Sequence, residues 1–410
     1  MQHQLQVEIL RELMQQLDEG KNIDAGVQYR MPTSNYVCPD VAAQEQDLFF
    51  RNHPQLIGLS GDLPDPGSFL TMDDFGIPVL ATRDKEGRFH AFLNACRHRA
   101  VKVADEDRGR KSVFMCPFHQ WSYANTGDLL TIPDEDHFGA IDKSCHGLVE
   151  LPAVERDGLL WVHPNVDGEL NVDALLGDEL AAELPSYGLG NHRFVGQKTI
   201  AMNLNWKFAN DTFGETYHFG KLHKDTLGRL YYGNNLHLHE FGRHHRFVTA
   251  NRGIDDFRNV PESDWNIFHG TFVMYHLFPN VQFLVDPHTA TLIRIYPDGK
   301  NPGRSITRIS FYYTQEVMDA VAQAKTEGDE IADVYDYEGR QGTVGTVEDS
   351  LEVFYSTVER EDYVMGEMQQ RAAETGMLKE VVFGRNEPAL HHFHSSFREA
   401  LGQPPLQKVG

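Results

Sequence analysis

The chain has 410 residues, and 60 acidic against 37 basic side chains leave it at −23 with histidine neutral. That balance argues against nucleic acid and anionic membranes, which attract cations. Hydrophobic residues at 40% supply two or three packed cores, and with no apolar run near roughly 18 residues and no signal-like start a cytoplasmic protein is expected.

Near the N-terminus Leu5, Ile9, Leu13 and Leu17 recur every four residues before Gly20, which predicts an amphipathic helix. A second helix is expected after Asp40 as its cap. From about residue 55 short apolar runs alternate with turn signals such as Pro66-Gly67, Glu86-Gly87 and Asp157-Gly158. This texture predicts an antiparallel β domain over about 40–165. Residues 165–190 read as an acidic linker, followed by strands at 194–204, 245–250, 270–285, 290–296 and 305–314 and a last helix over Glu348–Glu374. Cys38, Cys96, Cys116 and Cys145 are too few for a disulfide framework.

Two of those cysteines sit in the pattern C-x-H-x17-C-x2-H, formed by Cys96, His98, Cys116 and His119. Each pair follows a strand end, so two hairpin loops would present two thiolates and two imidazoles to one point. A [2Fe–2S] cluster with two histidine ligands takes that donor set. Structural zinc uses the same atoms, but zinc fingers keep their cysteines and histidines in separate pairs, whereas here each loop gives one of each.

The stretches CRHRA and CPFHQWSYANTGDL resemble the Rieske loop pair of ring-hydroxylating oxygenases, with Ala100 and Gln120 where the commoner pattern has glycine. Downstream, Glu215, His218 and His223 form E-x2-H-x4-H. The histidines would fall about 140° apart on a regular helix, so a shared ion requires the helix to bulge or end, with Gly220 as the tolerant position. A chain of 21 histidines also yields close spacings by chance as surface residues. In the last helix Leu351, Tyr355, Val358, Asp362, Met365 and Gln369 form a stripe interrupted by an acid. A buried carboxylate needs a partner, which a metal supplies; Glu361 is turned about 100° away, so Asp362 is preferred.

NWKFANDTFGETYH with its later histidine resembles the signature of the oxygenase α subunit, and Val358–Asp362 resembles its acidic element. The resemblance implies a ferrous ion held by His218, His223 and Asp362. It places Glu215 at the bridging position where most of the family has Asp, and family enzymes acting on quaternary ammonium compounds use Glu there.

It further implies an α+β fold: an N-terminal helical segment, 1–39, packed on the catalytic domain; a Rieske [2Fe–2S] domain, 40–165; and a helix-grip (START-like) catalytic domain, 166–410. Expected partners are a NAD(P)H-dependent reductase, with or without a ferredoxin, O2 as co-substrate and a small aromatic substrate in a homotrimer. A quaternary ammonium substrate, an iron–sulfur electron carrier and a zinc-stabilised binding module are the competing readings.

The histidine-dense run His237–His245 reads as a strand and turn near the site mouth. Phe272, Met274 and their neighbours read as strands, a minority of them reaching substrate. Asn386–His394 reads as a docking segment, and Cys38 and Cys145 as ordinary thiols.

Overall fold

In the computed structural model, which describes residues 1–327, 334–337, 340–343 and 347–409 with side chains outside 324–350, the leucine stripe forms the helix His3–Glu19. Gly20 ends it at φ 61°, where glycine carries no Cβ penalty. Val7, Leu10 and Leu13 are buried on that helix, and Gln16 Nε2 donates to Leu236 O at 2.9 Å. Asp40 lies inside the next helix, Pro39–Glu45, rather than capping it. The acidic stretch expected as a linker holds the helix Val172–Glu183, broken at Gly177 (φ 74°).

Contacts divide the chain into two units: Glu45–Leu175 with Gly188–Phe194, and Met1–Gln44 with Leu176–Tyr187 and Val195–Gly410. The first pairs its strands antiparallel: a five-stranded sheet ordered Glu150–Leu151, Phe89–Leu93, Val79–Arg83, Ser68–Met72, Arg108–Arg110, and two three-stranded sheets. The second is built on a seven-stranded sheet ordered His192–Met202, Ser305–Thr314, Thr289–Pro297, Val281–Val285, Thr271–Leu277, His244–Ala250, His237–Phe241. An antiparallel β unit and a unit of helices on a mainly antiparallel seven-stranded sheet are thus the architecture.

The run His237–His245 is the expected strand and turn: His237–Phe241 is the sheet's edge strand, turning into His244–Ala250, and His237 Nδ1 lies 2.8 Å from Glu12 and His239 2.8 Å from Glu179, so these histidines bind carboxylates of neighbouring helices. One element departs from expectation. The C-terminal histidines lie on the helix Pro388–Ala400, started by Pro388; His391 and His394 are buried on it, so the segment is core rather than a docking tail. No helix among the described residues is long and apolar enough to cross a membrane.

Candidate functional site

The two Cys/His loops are built alike. Cys96 N donates to Val101 O and Ala100 N to Cys96 O, both at 2.8 Å; Cys116 N donates to Trp121 O at 2.8 Å and Gln120 N to Cys116 O at 2.9 Å. Each closure holds a thiol at the root of the loop and forces the residue four positions on into the left-handed region, at φ 59° for Ala100 and 60° for Gln120. Those are the two positions where the common loop pattern carries glycine, which explains the pattern physically.

Cys96 and Cys116 are buried in an apolar cluster with Phe114, Trp121 and Tyr123. Burial pushes the Cys96 thiol up, against the pull of the Tyr123 hydroxyl 3.3 Å away. The His98 and His119 rings lie 4.6 Å apart, and the Nδ1 atom of each is buried with no hydrogen-bond partner among the described residues. Such orphaned nitrogens are rare unless a ligand takes them. Burial, with Arg99 and His98 adding to it, lowers the His119 pKa and favours the neutral form that ligates. Two orphaned imidazole nitrogens beside two buried thiols fit a [2Fe–2S] cluster of mixed ligation.

The second constellation is not a bulged helix. The helix Trp206–Asp211, capped by Asn205, ends before it, and residues 212–226 run as successive turns. Leu222 N donates to His218 O and Gly228 N to His223 O, both at 2.8 Å, so each histidine opens its own turn. Gly220 is not the reason: a Cβ there meets open space. Gly228 is the constrained position, since a Cβ would stand 2.8 Å from His223 O and 2.6 Å from Phe219 O.

The stripe expected through the last helix also changes register. Leu351 and Val358 are buried, but after Asp362 the buried residues are Tyr363, Gly366, Gln370 and Ala373, while Met365 and Gln369 are exposed. The cause is a π-helical turn, Val358–Asp362, whose extra residue rotates the following face. That turn also brings two adjacent acids to one imidazole: Asp362 Oδ1 lies 3.1 Å from His223 Nε2, and Glu361 Oε2 lies 2.6 Å from His223 Nδ1.

His218 mirrors this arrangement, with Nε2 3.4 Å from Asp362 Oδ1 and Nδ1 hydrogen-bonded to Glu215 Oε1. His218, His223 and Asp362 therefore offer ligand atoms within 4.8 Å of one another. Burial raises the Asp362 carboxyl, but both histidines outweigh it and hold its pKa below the ordinary value. Burial likewise lowers His218, and the carboxylates of Asp362 and Glu215 overcome that and raise it to about 10. Three converging donors, two of them oriented from behind by carboxylates, fit a divalent iron with open coordination positions. Sequence reasoning missed the place of Glu361, because a regular helix would turn it away.

These donors form one end of a cavity of about 300 Å³. Its walls are mostly aromatic and aliphatic, among them Phe219, Phe247, Phe272 and Phe354.

The family profile "Ring hydroxylating alpha subunit (catalytic domain)" matches residues 189–403, and "Rieske [2Fe-2S] domain" matches 53–151. The oxygenase subunit of glycine betaine monooxygenase from Chromohalobacter salexigens is 30% identical over 200 residues, 48% of this chain and 43% of that protein. The α subunit of biphenyl 2,3-dioxygenase from Rhodococcus jostii is 30% identical over 191 residues, 45% and 41% of the two chains. The matches thus span less than half the length of these relatives. Two solved structures share the fold: a quaternary ammonium Rieske monooxygenase in complex with L-carnitine (TM-score 0.71, 18% identity, 93% of this chain and 97% of that one). The other is naphthalene 1,2-dioxygenase from Rhodococcus sp. bound to indole (0.65, 19%, 97% and 98%).

Proposed function

Because the chain belongs to the ring-hydroxylating α-subunit family of Rieske oxygenases, we propose that it is the terminal oxygenase of a multicomponent system. It takes electrons from NAD(P)H through a separate reductase, with or without a ferredoxin, and adds oxygen from O2 to a small organic substrate. The observation that carries this reading is the convergence of His218 and His223 on Asp362 at the end of an apolar cavity. A simple electron carrier has no use for such a second donor set.

Cys96, His98, Cys116 and His119 hold the [2Fe–2S] cluster in this reading, and His218, His223 and Asp362 the ferrous ion. When bound, the cluster supplies single electrons and the ion activates O2. The chain's own residues set the stage. Glu215 and Glu361 accept the Nδ1 protons of His218 and His223, which leaves each Nε2 free to ligate. Glu215 occupies the bridging position assigned by the family pattern. The cavity walls keep water from the reacting atoms and orient the substrate through contact area.

An aromatic substrate suits those walls best. The second reading, a quaternary ammonium substrate, is favoured by Glu215 in place of Asp and by the names of some relatives. Exposed Phe118 beside His119, and exposed Tyr217 beside His218, suit burial against neighbouring subunits in a homotrimer. The acidic charge suits a basic patch on the electron donor. The two cysteines outside the cluster, Cys38 and exposed Cys145, are thiols, which suits the cytoplasm.

Metal and sulfide analysis of anaerobically purified protein tests the reading. About three irons and two sulfides per chain are expected, with substrate-dependent O2 uptake once a reductase is supplied. Two irons that added ferrous ion does not raise to three would overturn the second site, and colourless zinc protein would overturn both.

A further inference from the structure

One cross-strand row runs through the sheet wall of the cavity, beside Phe272 and Thr289 of the same sheet. Phe247 pairs with Met274, Met274 with Leu284, Leu284 with Thr291 and Thr291 with Phe311, across five adjacent strands. All five side chains line the cavity, as residues directly opposite in a sheet must when they share a face. Four are apolar and one, Thr291, next to Phe311 at the end of the row, carries a hydroxyl.

That hydroxyl differs from the cavity's other threonines. Thr212 Oγ1 donates to Ala209 O and Thr357 Oγ1 to Val353 O, each at 2.9 Å, and Thr289 Oγ1 donates to Asp286. Thr291 has no hydrogen-bond partner among the described residues and faces the empty space. Charge in the lining is equally lopsided. Glu215 and Asp362 are its acids, and among the described lining residues there is no lysine or arginine. A carboxylate bound in this cavity would therefore find positive charge only at the metal donors, where it would compete for the ion itself, and elsewhere would lie against apolar walls with no lysine or arginine of the described lining to pair with, which is costly.

We propose that Thr291 is the specificity-determining residue of this cavity, and that the substrate is an uncharged arene whose single oxygen substituent hydrogen-bonds to the Thr291 hydroxyl. This rests on the oxygenase reading for its chemistry, but not for its binding. Zwitterions that pair a quaternary ammonium with a carboxylate are disfavoured, because the aromatic walls can hold the cation while no lysine or arginine of the described lining holds the anion away from the metal donors. Hydrogen bonding at Thr291 would fix which ring edge faces His218, His223 and Asp362.

The test is equilibrium binding to the full-length, iron-loaded enzyme kept anaerobic and unreduced, so that no turnover intervenes. The probes are naphthalene, 2-naphthol, 2-naphthoate, choline and glycine betaine, against wild type, Thr291→Val and Thr291→Ser. Wild type is expected to bind 2-naphthol roughly three- to tenfold more tightly than naphthalene, the range one net hydrogen bond gives. Thr291→Val, of nearly the same shape, should erase that preference, read as the ratio of the two affinities within the variant, and Thr291→Ser should keep it. Naphthoate and glycine betaine should bind at least about 100-fold more weakly than naphthol.

Betaine or choline binding as tightly as naphthol, or a preference that survives Thr291→Val, overturns the proposal. The oxygenase reading fails separately: arenes that bind in this order yet elicit no O2 uptake with any electron donor refute that reading and leave the cavity assignment standing.

Discussion

The two sets of candidate metal donors are assembled on opposite plans. Around Cys96 and Cys116 every donor lies within 24 residues of chain, in two loops closed by the same pair of backbone hydrogen bonds. Around His218 the third donor comes from 139 residues beyond His223, on a π-helical turn in another element. The first region depends on local backbone geometry, the second on packing that holds two distant segments in register. Local sites should therefore fail with their own unit, and distant ones should fail alone.

The largest expected effect separates the two. Cys116→Ser should remove the visible absorbance of the cluster and lower the melting temperature, because the thiol sits inside the apolar cluster with Trp121 and Tyr123. Asp362→Ala should keep that absorbance and lose the remaining iron, with turnover down at least about 100-fold. Bleaching in Asp362→Ala would mean that the two regions are not independent.

A smaller effect belongs to Glu361. Glu361→Ala leaves the donor triad intact but removes the acceptor of the His223 Nδ1 proton, so ferrous affinity should fall roughly 10- to 100-fold while the cluster spectrum stays unchanged. Unaltered affinity would show that packing alone orients His223.

Acidity sharpens the contrast further. In the iron-free enzyme burial lowers His218, yet Asp362 and Glu215 raise it to about 10, and His223 is raised against burial by Asp362 and Glu361. Stability from these protonated imidazoles is complete below the ordinary value near 6.5 and is lost as pH climbs through about 10 for His218. Iron must displace those protons, so ferrous titration near pH 7 should release acid, and affinity should rise with pH by up to about tenfold per unit for each proton displaced. A weakly buffered titration with no acid release would contradict this.

The smallest effect lies in the loops. Ala100→Gly relieves a left-handed backbone, and after allowing for the greater freedom of the unfolded chain it should stabilise the Rieske unit by about 0.5–1 kcal/mol. Thermal unfolding followed at the cluster absorbance reads this; destabilisation would show that the Ala100 side chain makes contacts outweighing the strain.

Legibility from residues alone follows the same division between local and distant assembly. The C-x-H-x17-C-x2-H spacing, the strand and turn alternation, the N-terminal helix and Asp362 as the buried acid were all readable, because each rests on periodicity or on neighbours within a few residues. Tertiary structure decided the rest. Periodicity assumes a regular helix, so it carried the metal segment as helix where turns exist, ran the buried stripe through Met365 and Gln369, and turned Glu361 away from the site. One extra residue in a π turn reversed the last two readings. The cavity row through Thr291 likewise depends on register between strands, and register is set by packing across the sheet.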